Sequence, residues 1–365
     1  MRIIITSPSL DPTKNVSGLS SVTRFIIENN PHQDYVHFEL GRKDGEKGGI
    51  HRVNAVIRRF KDWKRLLKTY PDALVHYNFP LEKPSIIRDT PFMRAALKNG
   101  NKMVIHIHGG IYLTSESIPF PFRQMLNYVF SWHVPFITLS ETEAETLRKR
   151  FHAKHVVSLP NCIDLKDAQT FQRKYKDAST PLTLGYLGRI APTKGMDDLL
   201  QACCMLKESQ IPFCLKIAGA EELEGQYLPQ FSNRLGNQFV YAGIVSGEKK
   251  KSFLQSLDVL TMPTSFEGLP MSLLECMSYG VVPVITPVGS IPTVVTEGQN
   301  GMFIKVKDAQ SIAEAITYLH THRDRLEQMS QSARSYIYEH FDADSYIDKL
   351  NNIYTACSCH SNSKR

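Results

Sequence analysis

The sequence predicts an α/β protein of two domains, each a parallel β-sheet with helices between successive strands. Three observations predict it. Short β-branched segments alternate with helical stretches through the first half. The same rhythm restarts at PLTLGYLG (from Pro181), after a polar stretch that ends at Thr180. And 365 residues are enough for two separate cores. Ligands of such sheets bind beyond the carboxyl ends of the strands, so the residues just after each strand are the ones to inspect.

In the first half the strands are RIIIT (from Arg2), YVHFEL (from Tyr35), ALVHYN (from Ala73), KMVIHIH (from Lys102), PFITLS (from Pro135) and HVVSLP (from His155). Several are near-continuous apolar runs, which suits strands covered on both faces. The opening MRIIITSPSL has one charge and an apolar run too short for a signal peptide or a membrane span, so it reads as the first buried strand. Ser17-Gly18 then turns the chain into a helix beginning near Leu19. A glycine there lets the backbone approach a phosphate, and an ordinary strand-to-helix turn would read the same way. Residues 51–70 set Val56, Ile57, Phe60, Trp63, Leu66 and Leu67 at helical spacing against Arg58, Arg59, Lys61, Lys64, Arg65 and Lys68. A crossover helix packing its stripe on the sheet is favoured there over contact with anionic lipid headgroups. His108 leaves its strand beside Gly109 and Gly110, well placed to meet a ligand; His106 shares its face, so one of the two could be structural. Ser140 caps the next helix, whose acidic residues lead and basic ones trail.

KDAQTFQRKYKDAST (from Lys166) reads as a linker. Beyond it, one strand ends at Gly188-Arg189 and a helix follows Lys194-Gly195. Arg189 offers a planar fork to phosphate oxygens and Lys194 a point charge near a helix start. FCLKIAGA (from Phe213) and NQFVYAGIVS (from Asn237) continue the pattern, and the backbone at Gly243 and Ile244 could meet a nucleotide base. The stretch from Pro263 to Pro287, PTSFEGLPMSLLECMSYGVVPVITP, places Glu267 in a loop, then Gly268 and Leu269. Pro270 opens a helix that holds Glu275 and stops at Gly280. The unpaired N–H groups of such a helix start suit a phosphate. Two carboxylates at different depths around one anion hole could bind hydroxyls on two parts of a phosphorylated ligand. Taken alone, the pair could equally be a capping and a solvated glutamate. Helices run from about Ala309 to His340 and from Ala343 onward.

Composition narrows the partners. Hydrophobic content of 42% and charged content of 22% are those of an ordinary soluble globular chain. A net charge of +7 favours nucleotide diphosphates, lipid phosphates or acidic membrane. Nucleic acid is disfavoured, since no zinc-finger spacing, basic zipper or aromatic-basic RNA signature occurs. Seven scattered cysteines without framework spacing read as small core residues in a reducing, cytoplasmic compartment, and Cys357 and Cys359 lack the second ligand pair of a zinc site.

Glu267, seven residues, then Glu275 within SFEGLPMSLLECMSYGVVPVIT, preceded by GYLGRIAPTKGMDDLLQAC, resembles the signature of retaining glycosyltransferases of family 4 (glycosyl transferases group 1). The resemblance implies the GT-B fold, two Rossmann-like domains whose parallel sheets face across a cleft. It divides the chain into 1–163 on the acceptor side, completed by a helix over 343–358, and 164–342 on the donor side, with closure expected. It also implies roles. Glu267 would bind donor-sugar hydroxyls, Glu275 the ribose, and Arg189 with Lys194 the diphosphate. Gly268, Leu269, Gly243 and Ile244 would contact the donor, and His108 and Gly18 would act from the first domain. No metal or cofactor is expected; the nucleotide sugar, UDP favoured and GDP admitted, is a co-substrate. The acceptor would be a glycan or a lipid-linked glycan of surface polysaccharide synthesis, met at the inner face of the membrane. The sequence departs from the family where Ser17 precedes Gly18, where Cys162 replaces a glycine, and where AEELEG follows FCLKIAG. A nucleotide-sugar epimerase or hydrolase of the same fold, and a non-catalytic binding protein, remain the rival readings.

Overall fold

The structure, a computed structural model, describes all residues except 12, 13, 16, 42–49, 116, 176 and 360–365, and nothing is said of the side chains of 50–52. The chain separates into two compact units, one of Met1–Asn15, Leu19–Asn161 and the segment from Ala343, the other centred on Cys162–Asp342.

The first unit runs β1 (Arg2–Ser7), α1 (Gly18–Asn29), β2 (Asp34–Glu39), α2 (Ile50–Thr69), β3 (Leu74–Phe79), α3 (Lys83–Asn99), β4 (Met103–Ile107), α4 (Ile111–Thr114), α5 (Phe120–Phe130), β5 (Phe136–Thr138), α6 (Glu141–Phe151) and β6 (Val156–Ser158). Its sheet is parallel, in the order β2-β1-β3-β4-β5-β6. Every residue of β3 and β4 is buried, whereas the edge strand β2 is largely half-buried, which explains why the central strands read as unbroken apolar runs.

The amphipathic segment resolves in favour of the crossover helix. Trp63 and Leu67 are fully buried, and the indole N–H donates to Phe92 O at 2.9 Å. Ile57 leaves the expected stripe and is 50% exposed, beside an exposed Val53. Helix α6 starts as expected, with the Ser140 hydroxyl accepting from Glu143 N–H.

The second unit runs α7 (Lys166–Gln169), β7 (Leu182–Leu187), α8 (Met196–Glu208), β8 (Phe213–Ala218), α9 (Leu228–Leu235), β9 (Phe239–Gly243), α10 (Gly247–Ser256), β10 (Val259–Met262), α11 (Met271–Ser278), β11 (Val282–Ile285), β12 (Met302–Phe303), α12 (Ala309–Thr321) and α13 (Arg323–His340). Its parallel sheet has the order β12-β11-β10-β7-β8-β9. The sequence reading did not pick out β10, a four-residue buried strand ending one residue before Pro263.

The polar stretch after Lys166 is not a free linker. Arg173 is buried and donates to Tyr279 O at 2.9 Å and Leu257 O at 2.6 Å. Tyr175 O–H reaches Ser330 Oγ at 3.2 Å, and Arg323 holds Thr180 O at 2.8 Å. A charged residue buried to satisfy backbone carbonyls looks polar in sequence yet is part of the packed body.

The last helix, α14 (Ala343–Cys359), belongs to the first unit. Leu350 and Tyr354 are fully buried, the Tyr346 ring packs edge-on against Phe25, and Asn351 exchanges amide hydrogen bonds with Asn30. Among the described residues all seven cysteines are free thiols, and Cys162, Cys203 and Cys276 are buried. No described helix is long and apolar enough to cross a membrane.

Candidate active site

In the second unit the strand order reverses between β7 and β10, because β8 and β9 extend to one side and β11 and β12 to the other. Loops leaving the two strands at such a reversal diverge and leave a crevice at the carboxyl end of the sheet. Arg189 and Lys194 lie on the loop after β7; Glu267 lies on the loop after β10.

Two glycines let these loops pack. Gly195 has φ +71°, and a Cβ there would stand 2.1 Å from Pro263 O; at Gly289, with φ +59°, a Cβ would stand 2.0 Å from Glu267 O. Ser265 N–H also donates to Thr193 O at 3.0 Å. The result is an ion pair between Lys194 Nζ and Glu267 Oε1, both largely buried, with Lys194 Nζ also 3.5 Å from Phe266 O. Arg189 belongs to the same neighbourhood. Its carbonyl accepts from Tyr186 O–H at 2.6 Å, and the phenol is pushed far above its usual range, first by burial and then by the Glu267 charge, against the pull of Arg189.

Helix α11 begins one residue later than the sequence suggested, with Pro270 as its N-cap, and Glu275 is its fifth residue. It ends in a Schellman arrangement, Gly280 N–H to Met277 O at 2.8 Å and Val281 N–H to Cys276 O at 3.0 Å. Glu275 is not merely solvated. Its Oε1 lies 2.6 Å from Lys250 Nζ on α10, and both side chains are mostly buried. Lys250 escaped the sequence reading; the only signal was an unbroken Lys249-Lys250-Lys251 run inside a helix that otherwise buries Phe253 and Leu254.

The other donor-side residues take definite places. Gly268 O accepts from Ser290 N–H at 3.0 Å, and the Leu269 side chain is buried, so any ligand contact at these two comes from backbone. Gly243, with φ +72°, ends β9, and Ile244 beyond it is 46% exposed. Both stand two strands from β7, and no hydrogen bond joins them to the paired lysines. The ends of β7, β8 and β9 are laced by Gly188 N–H to Ala218 O and Gly219 N–H to Gly243 O. Glu221 takes over the loop in which the family carries glycine-acid-glycine: its carboxylate accepts from the N–H groups of Gly225, Tyr227 and Leu228.

Gly18 opens α1, and an added Cβ would meet nothing within 4 Å, so the chain's own packing does not require glycine there. His108 follows β4, partly open to solvent, with Nε2 2.7 Å from Asn78 Oδ1 and its ring tilted against that of His106, the centroids 4.1 Å apart. Burial drives the His108 imidazole down to about 3. His106 is the structural partner: fully buried, its ionisation pushed well below the usual histidine range by burial, and bonded to His76, which in turn meets Tyr354 O–H at 2.6 Å.

Two α/β units with parallel six-stranded sheets, the second carrying paired lysines and glutamates at its strand reversal, define the GT-B class. Residues 167–336, within the second unit, match the family of glycosyl transferases group 1. A putative colanic acid biosynthesis glycosyltransferase, WcaL of Salmonella typhimurium, is 26% identical over 178 residues, 47% of this chain and 44% of that protein. The chain thus aligns with under half the length of that curated relative. Two solved structures share the fold: a sucrose-phosphate synthase from Thermosynechococcus elongatus (TM-score 0.78, 16% identity, 99% of this chain and 100% of the other) and Anabaena HepE with UDP-glucose (TM-score 0.73, 15% identity, 98% and 100%).

Proposed function

We propose that the chain is a metal-independent retaining glycosyltransferase, moving a sugar from a nucleotide diphosphate sugar to a glycan or lipid-linked acceptor. The observation that carries this reading is the Lys194–Glu267 pair at the strand reversal, beside the start of α11. The chemical task is to stabilise charge on the departing diphosphate beside an oxocarbenium-like sugar. Arg189 and Lys194 meet that charge, and the backbone at Gly268 and Leu269 adds the partial positive charge of the helix start. Glu267 holds sugar hydroxyls and Glu275 ribose hydroxyls, while Gly243 and Ile244 border the base. Gly18, at the start of α1, offers backbone to phosphate, and His108 of the first unit offers an imidazole nitrogen to a hydroxyl. The UDP-glucose in the Anabaena structure and the name of the Salmonella relative favour a UDP-sugar donor and a polysaccharide product.

The test is nucleotide release from a panel of UDP-, GDP- and ADP-sugars, with and without free and lipid-linked glycan acceptors. Acceptor-dependent release from one donor is expected. Release without acceptor would indicate a hydrolase or epimerase, and binding without any release a non-catalytic protein.

A second reading, contact with anionic membrane, draws on the first unit. A groove of about 530 Å³ between α2, α3 and α5 has Phe60, Leu67 and Tyr128 in its walls and Lys64, Lys68, Arg94 and Lys98 among its lining, none of the four in an ion pair among the described residues. An apolar floor rimmed by cations suits an anionic headgroup with its acyl chain. Cosedimentation with phosphatidylglycerol vesicles is expected, and Lys64→Glu with Arg94→Glu should abolish it; no binding to such vesicles by the unmutated protein removes this reading.

A further inference from the structure

His108 and Asn78 carry an inference that deepens the proposed function and rests on it. The Asn78 amide is locked at four points. Its backbone N–H donates to Thr6 Oγ1 at 3.1 Å, and its Nδ2 donates to Thr6 O at 2.7 Å and to Thr23 Oγ1 at 3.0 Å. Thr6 O is a carbonyl and can only accept. The Thr23 hydroxyl has spent its proton on Leu19 O at 2.9 Å, so it too accepts from Asn78. The side chain therefore cannot be flipped without setting a carbonyl against two acceptors. Its Oδ1, the fourth point, faces His108 Nε2 at 2.7 Å, and an amide oxygen can take only a hydrogen from that nitrogen.

We propose that Asn78 is a positioning residue that fixes His108 as the neutral Nε2–H tautomer and leaves Nδ1 as an acceptor-only atom for a ligand hydroxyl. Nδ1 has no hydrogen-bond partner among the described residues. Among the described residues the titratable groups that face the ring are His106 on β4, packed against it, and His76 on β3, whose charge acts on it; none is a carboxylate that would favour the imidazolium. An acceptor-only nitrogen selects the donor-sugar class. A sugar that presents a hydroxyl hydrogen is accepted. One with a deoxy carbon there loses the bond, and one with a carboxylate, as in a uronic acid, meets two acceptors face to face.

Imidazole 15N NMR of the full chain, with the His108 signals assigned by comparison with His108→Gln, reads the tautomer directly. Nε2 is expected to have the protonated, pyrrole-type shift and Nδ1 the pyridine-type shift, with no imidazolium down to pH 5. A protonated Nδ1, or an imidazolium near neutrality, overturns the assignment, and it does so whether or not the chain transfers sugar. The second arm is Asn78→Asp, which keeps the oxygen that faces Nε2 and charges it while giving up the two bonds that Nδ2 donates to Thr6 O and Thr23 Oγ1, so its folding is verified first. The acid limb of kcat/KM is expected to move up by at least one pH unit, with a hydroxyl-bearing donor preferred over its uronate at least tenfold in the unmutated protein. An unmoved limb in a folded variant, or equal use of the uronate, refutes the role.

Discussion

Lys250 and Glu275 lie on two different helices, and their 2.6 Å contact makes the lysine a brace for the carboxylate assigned to the ribose. Lys250→Ala is expected to weaken nucleoside diphosphate binding about tenfold, as is Glu275→Ala, and the double substitution should be no worse than Glu275→Ala alone, because the two act as a unit. Titration calorimetry measures all three; losses that simply add would show that Lys250 touches the nucleotide itself. Lys194→Ala belongs to the same scale. Removing the cation proposed to face the leaving diphosphate should lower turnover at least tenfold, about 1.4 kcal/mol, in the acceptor-dependent release assay. Near-normal turnover would remove Lys194 from the chemistry. The placement of Arg189, Lys194 and Glu267 on loops after strands, and of Glu275 inside a helix, was legible in the sequence from the strand and helix pattern, whereas their roles rest on the resemblance. Lys250 and Arg173 were not legible. Their partners, Glu275 and the carbonyls of Leu257 and Tyr279, are brought to them by the fold, and in sequence both cations look like ordinary solvated charge.

At the scale of elements, the loop after β7 and the loop after β10 are held together by the absence of a side chain. Gly195→Ala must push a Cβ against Pro263 O and also place a non-glycine residue at φ +71°, so a loss of at least about 2 kcal/mol is expected, combining left-handed strain with the clash. Gly225→Ala, at φ +76° with open space around it, should cost about 1 kcal/mol through strain alone. Denaturant unfolding of the two variants separates them, and equal costs would show that the loops yield freely. Most sheet strands were legible as short segments rich in β-branched and aromatic residues. Strand β10 was missed because four residues running into Pro263 give no period to count, and the expected stripe on α2 erred at Ile57 because a helix buried on one side leaves its flanking apolar positions in water.

For the molecule as a whole, His76, His106 and His108 of the first unit tie its stability to pH. Burial lowers His76 to about 4 and His108 to about 3, and His106 moves in the same direction. A base whose folded pKa is depressed stays neutral in the fold while the unfolded chain takes up a proton, so stability rises with pH across that interval. The contribution is complete above about pH 6.5 and is lost as pH falls towards about 4. The urea midpoint of the chain is expected to drop between pH 7 and pH 5, and His76→Gln should flatten that drop. A midpoint independent of pH over this range would mean that the buried imidazoles are charged in the folded state.

The return of α14 to the first unit orders events during synthesis. The second unit, centred on the stretch Cys162–Asp342, has all its strands once Asp342 is made, whereas the first still lacks Leu350 and Tyr354 and so keeps an open seam along α1 and β3. On the ribosome the half made later in the chain can therefore finish first, and the half made first waits for the last helix to leave the exit tunnel.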